Sequence, residues 1–179
     1  VMEKYKRSPI QDYMAVSVSS KKVLSIDSPS GFTKNVINFL TEEATKLGYE
    51  CEYNKKGNLI VTVKGQSDNV IGLSSHVDTL GLMVRSINGD GTLRITTIGG
   101  PLLPTYDGEY CKVYTRDGKV YSGTVLSNSP AAHVFKDASS LPRDADHMHI
   151  RLDEVVKSKA DVKKLGIETG DFIAVDPKT

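Results

Sequence analysis

The sequence predicts an α/β layer followed by a small barrel or sandwich of short strands. Three observations predict it: helical spacing of apolar residues before residue 50, an uninterrupted apolar run at 69–75, and short strands at close spacing joined by Gly-containing turns after residue 81. With 179 residues, 39% hydrophobic and 25% charged, the chain has the composition of an ordinary globular protein and can build a core without disulfide or metal staples.

The elements follow in order. Ser8-Pro9 pairs an N-cap with a first-turn proline, and Ile10, Tyr13, Met14 and Val18 recur behind it, so a helix begins the 9–25 segment. Val36, Ile37, Leu40, Ala44 and Leu47 give a second helix over 33–47, with Thr33 as cap and Gly48 as stop. Tyr49, Cys51 and Tyr53 alternate, and the turn at 55–58 leads into a paired strand at 59–63. The run Asn69-Val-Ile-Gly-Leu-Ser-Ser75 has no polar face, as in a strand buried on both sides. Segments 82–87 and 93–98 flank the turn Asn88-Gly-Asp-Gly91, and segments 110–114 and 120–126 flank Arg116-Asp-Gly-Lys119. Residues 127–146 read as irregular, and 148–152 returns to strand. Ser158-Lys-Ala-Asp161 is a capping-box pattern opening a short helix that Gly166 closes, before a last strand at 172–175.

Lys and Arg total 23 against 22 Asp and Glu, and no segment is strongly polarised. A basic stripe for nucleic acid and a basic amphipathic helix for a membrane surface are both missing from the pattern, so neither partner is expected. Cys51 and Cys111 lack the short spacing of a zinc or redox motif and read as reduced. The polar N-terminal residues carry no apolar targeting stretch, so the expected location is cytoplasmic.

His76 and Asp78 stand at the carboxyl end of the 69–75 run, where ligands gather in open α/β sheets. A metal-bound imidazole usually gives its other N–H to a carboxylate, and Asp78 has the right spacing to be that partner; a structural histidine satisfied by a turn is the alternative. His147 and His149 share a strand face near Asp144 and Asp146, a weaker version of the same pattern, and His133 has no evident partner. The stretch beginning Ser86-Ile-Asn88-Gly-Asp90 resembles a calcium loop, but its twelfth position is Thr97 and strands flank it, which rejects it. Nucleophile-elbow, Walker and dinucleotide signatures do not occur.

Five pieces together, Asp27-Ser-Pro-Ser-Gly-Phe32, Ser75-His-Val-Asp-Thr-Leu-Gly-Leu-Met-Val84, Ile98-Gly-Gly100, Asp117-Gly-Lys-Val-Tyr-Ser-Gly123 and Leu165-Gly-Ile-Glu-Thr-Gly-Asp171, resemble the tetrahedral aminopeptidases, a metallopeptidase family with glutamyl and deblocking members, some labelled endoglucanases. The resemblance implies a partial zinc-peptidase-like α/β domain with an inserted small β-barrel used in dimerisation: 1–80 as the N-terminal part of the peptidase domain, 81–166 as the barrel, 167–179 as the return. It further implies two divalent metal ions, zinc or cobalt, with His76 as a ligand of one and Asp78 as the catalytic residue orienting the imidazole. The substrate would be a peptide, cut at its N-terminal bond by a metal-activated water with a glutamate as base. Homo-oligomers, dimers building to a dodecamer, are implied as well.

Thr79 departs from the glutamate that many members carry. The further ligands and the base follow a Gly-Asp-x-x-x-x-Asp-Pro stretch in the family, which here is 170–177, near the end of the sequence. The expectation is therefore a fragment inactive alone. The competing expectation is a non-catalytic β-barrel module for peptide binding or oligomerisation, with His76 structural. A carbohydrate hydrolase lacks an assignable pair of carboxylates.

Overall fold

The computed structural model describes residues 20–177, which divide into two compact units. The expected helix start at Ser8-Pro9 lies outside the described residues; 20–24 are helical.

One unit holds 20–26, 34–77 and Pro177. Its helix α1 spans Lys34–Lys46, and Val36 is its buried residue. Strands β1 (Glu50–Tyr53) and β2 (Leu59–Thr62) pair antiparallel with Tyr53 opposite Leu59. Asn54 shapes the turn between them, its Oδ1 accepting the N–H groups of Lys56 (2.9 Å) and Asn58 (3.0 Å). The run at 69–75 corrects the sequence reading: it carries no strand, and Val70, Ile71 and Leu73 are 94%, 86% and 96% exposed. Its composition suits a strand covered on both faces, but among the described residues no strand pairs with it, and a lone strand has nothing to receive its backbone hydrogen bonds.

The other unit holds Asp27–Thr33 and Asp78–Asp176. Six antiparallel strands close a barrel in it: β3 (Gly81–Ile87), β4 (Leu93–Ile98), β5 (Tyr110–Tyr114), β6 (Val120–Ser127), β7 (Met148–Leu152) and β8 (Phe172–Val175), in the order β3-β4-β7-β6-β5-β8. Alternation drives it, since side chains on a strand point in and out with period two. Leu82 and Val84, Leu93 and Ile95, Cys111 and Val113, Val125, Ile150 and Ile173 all point inward and are buried. The boundary expected at 166 falls before the closing strand, because β8 pairs with β3 on one side and β5 on the other.

Helix α2 (Lys159–Lys164) follows the capping-box expectation. Ser158 Oγ accepts the Asp161 N–H at 3.2 Å and donates to Asp161 Oδ2 at 2.7 Å. Gly166 ends it at φ +89°, and Val162 and Ile167 join the barrel core. Among the described residues, no helix is long and apolar enough to cross a membrane.

Candidate functional site

The segment 27–32 forms a strap along the start of β3. The Thr79 N–H donates to the Ser28 carbonyl (2.8 Å) and the Ser30 N–H to the Thr79 carbonyl (3.2 Å), a parallel bridge between Pro29 and Thr79. The close approach requires glycine at 81, since a Cβ there would stand 2.7 Å from Pro29 Cβ and 3.1 Å from the Ile173 carbonyl oxygen.

The strap is pinned to the barrel wall at both ends. Asp27, whose side chain is 7% exposed, accepts from Lys112 Nζ at 3.0 Å and from the Tyr114 hydroxyl, and Lys112 also pairs with Asp176 at 3.3 Å. Burial works against the Lys112 charge, but the two carboxylates outweigh it and hold its pKa above the ordinary value. For the Tyr114 phenol, burial and the Asp27 carboxylate instead act together to raise the pKa, so it stays a donor. At the other end Phe32 packs on Tyr114 and Phe172, with ring centroids 4.7 and 5.2 Å apart.

Within this unit, Ser30 Oγ donates to Asp78 Oδ2. Asp78 is half-buried, one residue before Thr79 and beside the middle of the strap. His76, two residues earlier in the chain, is exposed and belongs to the segment without secondary structure.

His147 and His149 take local partners. His147 Nδ1 pairs with Asp144 at 2.7 Å, and His149 Nδ1 with Asn128 Oδ1 at 2.8 Å. Burial and Arg151 lower the His149 pKa against the pull of Asp90 and Asp107, which favours a neutral ring. His149 lines a cavity of about 240 Å³ with Asn88, Arg94, Asn128, Asp146 and Met148. Asp90 serves its turn, accepting the Thr92 N–H (3.0 Å) and hydroxyl (2.8 Å). Cys51 and Cys111 are free, and burial pushes the Cys111 thiol up to about 12, far from a nucleophile. Among the described residues, no group of three or more His, Cys, Asp or Glu is placed to hold a metal ion.

Sequence reasoning singled out the 27–32 motif without giving it a role. Its anchors, Lys112 and Tyr114, lie 85 and 87 residues further along, a distance at which spacing carries no signal.

A closed six-stranded barrel thus follows directly on the His76-x-Asp78 segment in the chain. The chain belongs to the M42 glutamyl aminopeptidase family, whose profile matches residues 57–179. It is 43% identical over 159 residues to YhfE of Bacillus subtilis, whose name assigns it provisionally to the aminopeptidases, covering 88% of this chain and 46% of that protein. It is 29% identical over 161 residues to the glutamyl aminopeptidase of Lactococcus lactis, covering 89% and 45%. Among solved structures, the TET1 peptidase of Pyrococcus horikoshii, described as assembling into a tetrahedron or a large octahedral shell, matches with a TM-score of 0.74 at 24% identity, covering 89% of this chain and 46% of that one. The chain thus spans less than half the length of these relatives.

Proposed function

We propose that the whole polypeptide is a metal-dependent aminopeptidase that removes N-terminal residues from peptides at a centre of two divalent ions, zinc or cobalt. The observation that carries the reading is the family match across residues 57–179, which includes both residues of the His76-x-Asp78 pair. The donor chemistry fits one corner of such a centre: His76 would be a ligand, and Asp78 would orient its imidazole and raise its basicity. When bound, the ions would polarise the scissile carbonyl and lower the pKa of a water.

A catalytic zinc usually takes three protein ligands. The described residues contain no such group, so the other ligands and the base are assigned to the stretch of sequence that the relatives possess beyond this match. The 179 residues are accordingly proposed to be inactive by themselves. The segments before the barrel are proposed as the first part of the peptidase domain, and the barrel as an insert used in self-association. The outward-facing Leu102, Tyr110 and Val120 supply apolar surface for that contact.

The test compares protein expressed from the whole reading frame with the 179-residue chain, each supplied with zinc or cobalt and assayed on aminoacyl anilides. Activity should appear only in the former, and His76→Ala should lower it by about 100-fold or more. Activity from the 179 residues alone would remove the fragment reading. A reading frame without further carboxylate and histidine ligands would leave a binding or oligomerisation module.

A further inference from the structure

We propose that Ser30 is a positioning residue for Asp78: its hydroxyl fixes the carboxylate that orients the His76 imidazole. The inference rests on the role given to Asp78 above. The observation behind it is the Ser30 Oγ–H···Oδ2 bond to Asp78, made from a strap whose every other fastening is independent of the Ser30 side chain.

Those fastenings are numerous for six residues. Ser28 is buried, and its carbonyl accepts the Thr79 N–H. Pro29 lies against Gly81 in a contact only glycine permits. Asp27 is held by Lys112 and Tyr114, and Phe32 by Tyr114 and Phe172. The Ser30 backbone N–H is used on the Thr79 carbonyl. The serine Cα is therefore fixed without help from its hydroxyl. That hydroxyl neither caps a helix nor closes a turn, the common uses of a loop serine. It is spent on a carboxylate two residues from His76.

A carboxylate on a single Cβ has two torsions to fix before it can orient anything, and a charge-assisted O–H···O⁻ bond from a rigid donor fixes them. Partners of this kind, once removed from a metal ligand's support, change metal affinity or activity by about 10–100-fold. Serine suits the position because its hydroxyl is the shortest side-chain donor, and the strap already stands close to Thr79.

The experiment uses protein expressed from the whole reading frame and measures kcat and KM on aminoacyl anilides together with zinc affinity by competition with a chromogenic chelator. Ser30→Ala should lower kcat and weaken zinc binding by about tenfold or more, with KM changed less than about twofold. Ser30→Thr, which keeps the hydroxyl, should restore both to within about threefold, and Ser30→Cys, a weaker donor of similar size, should fall between. Thermal midpoints of the variants near the wild-type value separate positioning from unfolding. Should Ser30→Ala match wild type in kcat and zinc affinity while Asp78→Ala is impaired, the inference falls and the reading of Asp78 stands. A failure of Ser30→Thr to rescue also overturns it. Full activity in Asp78→Ala, or none in wild type, removes both together.

Discussion

Asp171 shows how one residue can serve architecture at an electrostatic cost. Its backbone ties β8 to β3, the Asp171 carbonyl accepting the Val84 N–H at 2.9 Å while the Gly170 N–H donates to the Val84 carbonyl at 2.8 Å. Its side chain is fully buried: Oδ2 accepts the Glu168 N–H at 2.8 Å, and Oδ1 has no hydrogen bond, only the Arg116 Nε at 3.9 Å. Burial raises the carboxyl pKa, the Glu168 N–H and Arg116 pull it down, and the nearby Glu168 and Asp117 charges add to the rise, which prevails. An acid whose folded pKa is raised binds its proton more tightly when folded. The penalty is therefore absent below the unfolded value of 3.8 and grows as pH climbs through the folded pKa. Asp171→Asn keeps the acceptor for Glu168 without the charge, so at pH 7 it should match or exceed wild type, and its advantage should shrink by pH 4. Asp171→Ala orphans the Glu168 N–H and should lose about 1–3 kcal/mol. Urea midpoints at the two pH values check the sign.

At the scale of elements, the shortest helix gives the sharpest test. Ser158 and Asp161 satisfy each other and the first turn of α2 through two bonds, and a third runs from the Lys157 N–H to Asp161 Oδ2 at 3.3 Å. Six residues cannot sustain a helix on propensity, so the cap and the buried Val162 decide whether it forms. Ser158→Ala should cost about 1 kcal/mol, read as a lower thermal midpoint, with the barrel strands intact by circular dichroism.

This helix was legible in the sequence because its signal is local, and so were the two hairpins of the barrel, whose turns sit between alternating strands. Barrel closure was not. Phe172, Ile173, Ala174 and Val175 read as a strand, but nothing in four residues says that they lie between Leu82 and Val113. The spacing of His76 and Asp78 draws attention in the sequence, whereas the Ser30–Asp78 bond does not, because 48 residues separate the two. The 69–75 run differs from its sequence reading for a physical reason: an apolar pattern reports the surroundings a segment needs, and among the described residues no strand supplies them.

For the molecule as a whole, burial is shared unequally. The barrel core gathers Leu82, Leu93, Ile95, Met148, Ile150, Ile167 and Ile173, all fully buried, and every strand in it is bonded on both sides. In the unit holding 34–77, Val36 is the buried hydrophobic among the described residues, and the backbone at 63–77 has no strand pairing. Local stability follows buried contacts and protected backbone bonds. Amide exchange on the 179-residue chain should therefore find β3, β6 and β7 protected to the limit of global unfolding, α1 intermediate, and 69–75 exchanging nearly as an open chain. The same segment should become protected in protein from the whole reading frame. Covering Val70, Ile71 and Leu73 is worth about 1.5–3 kcal/mol for each side chain, more than enough to shift a segment from open to closed. Strong protection of 69–75 in the 179-residue chain would mean that the run finds a partner within these residues. Continued fast exchange in the longer protein would mean that His76 is carried on a loop rather than on a strand, and would count against its assignment as a metal ligand.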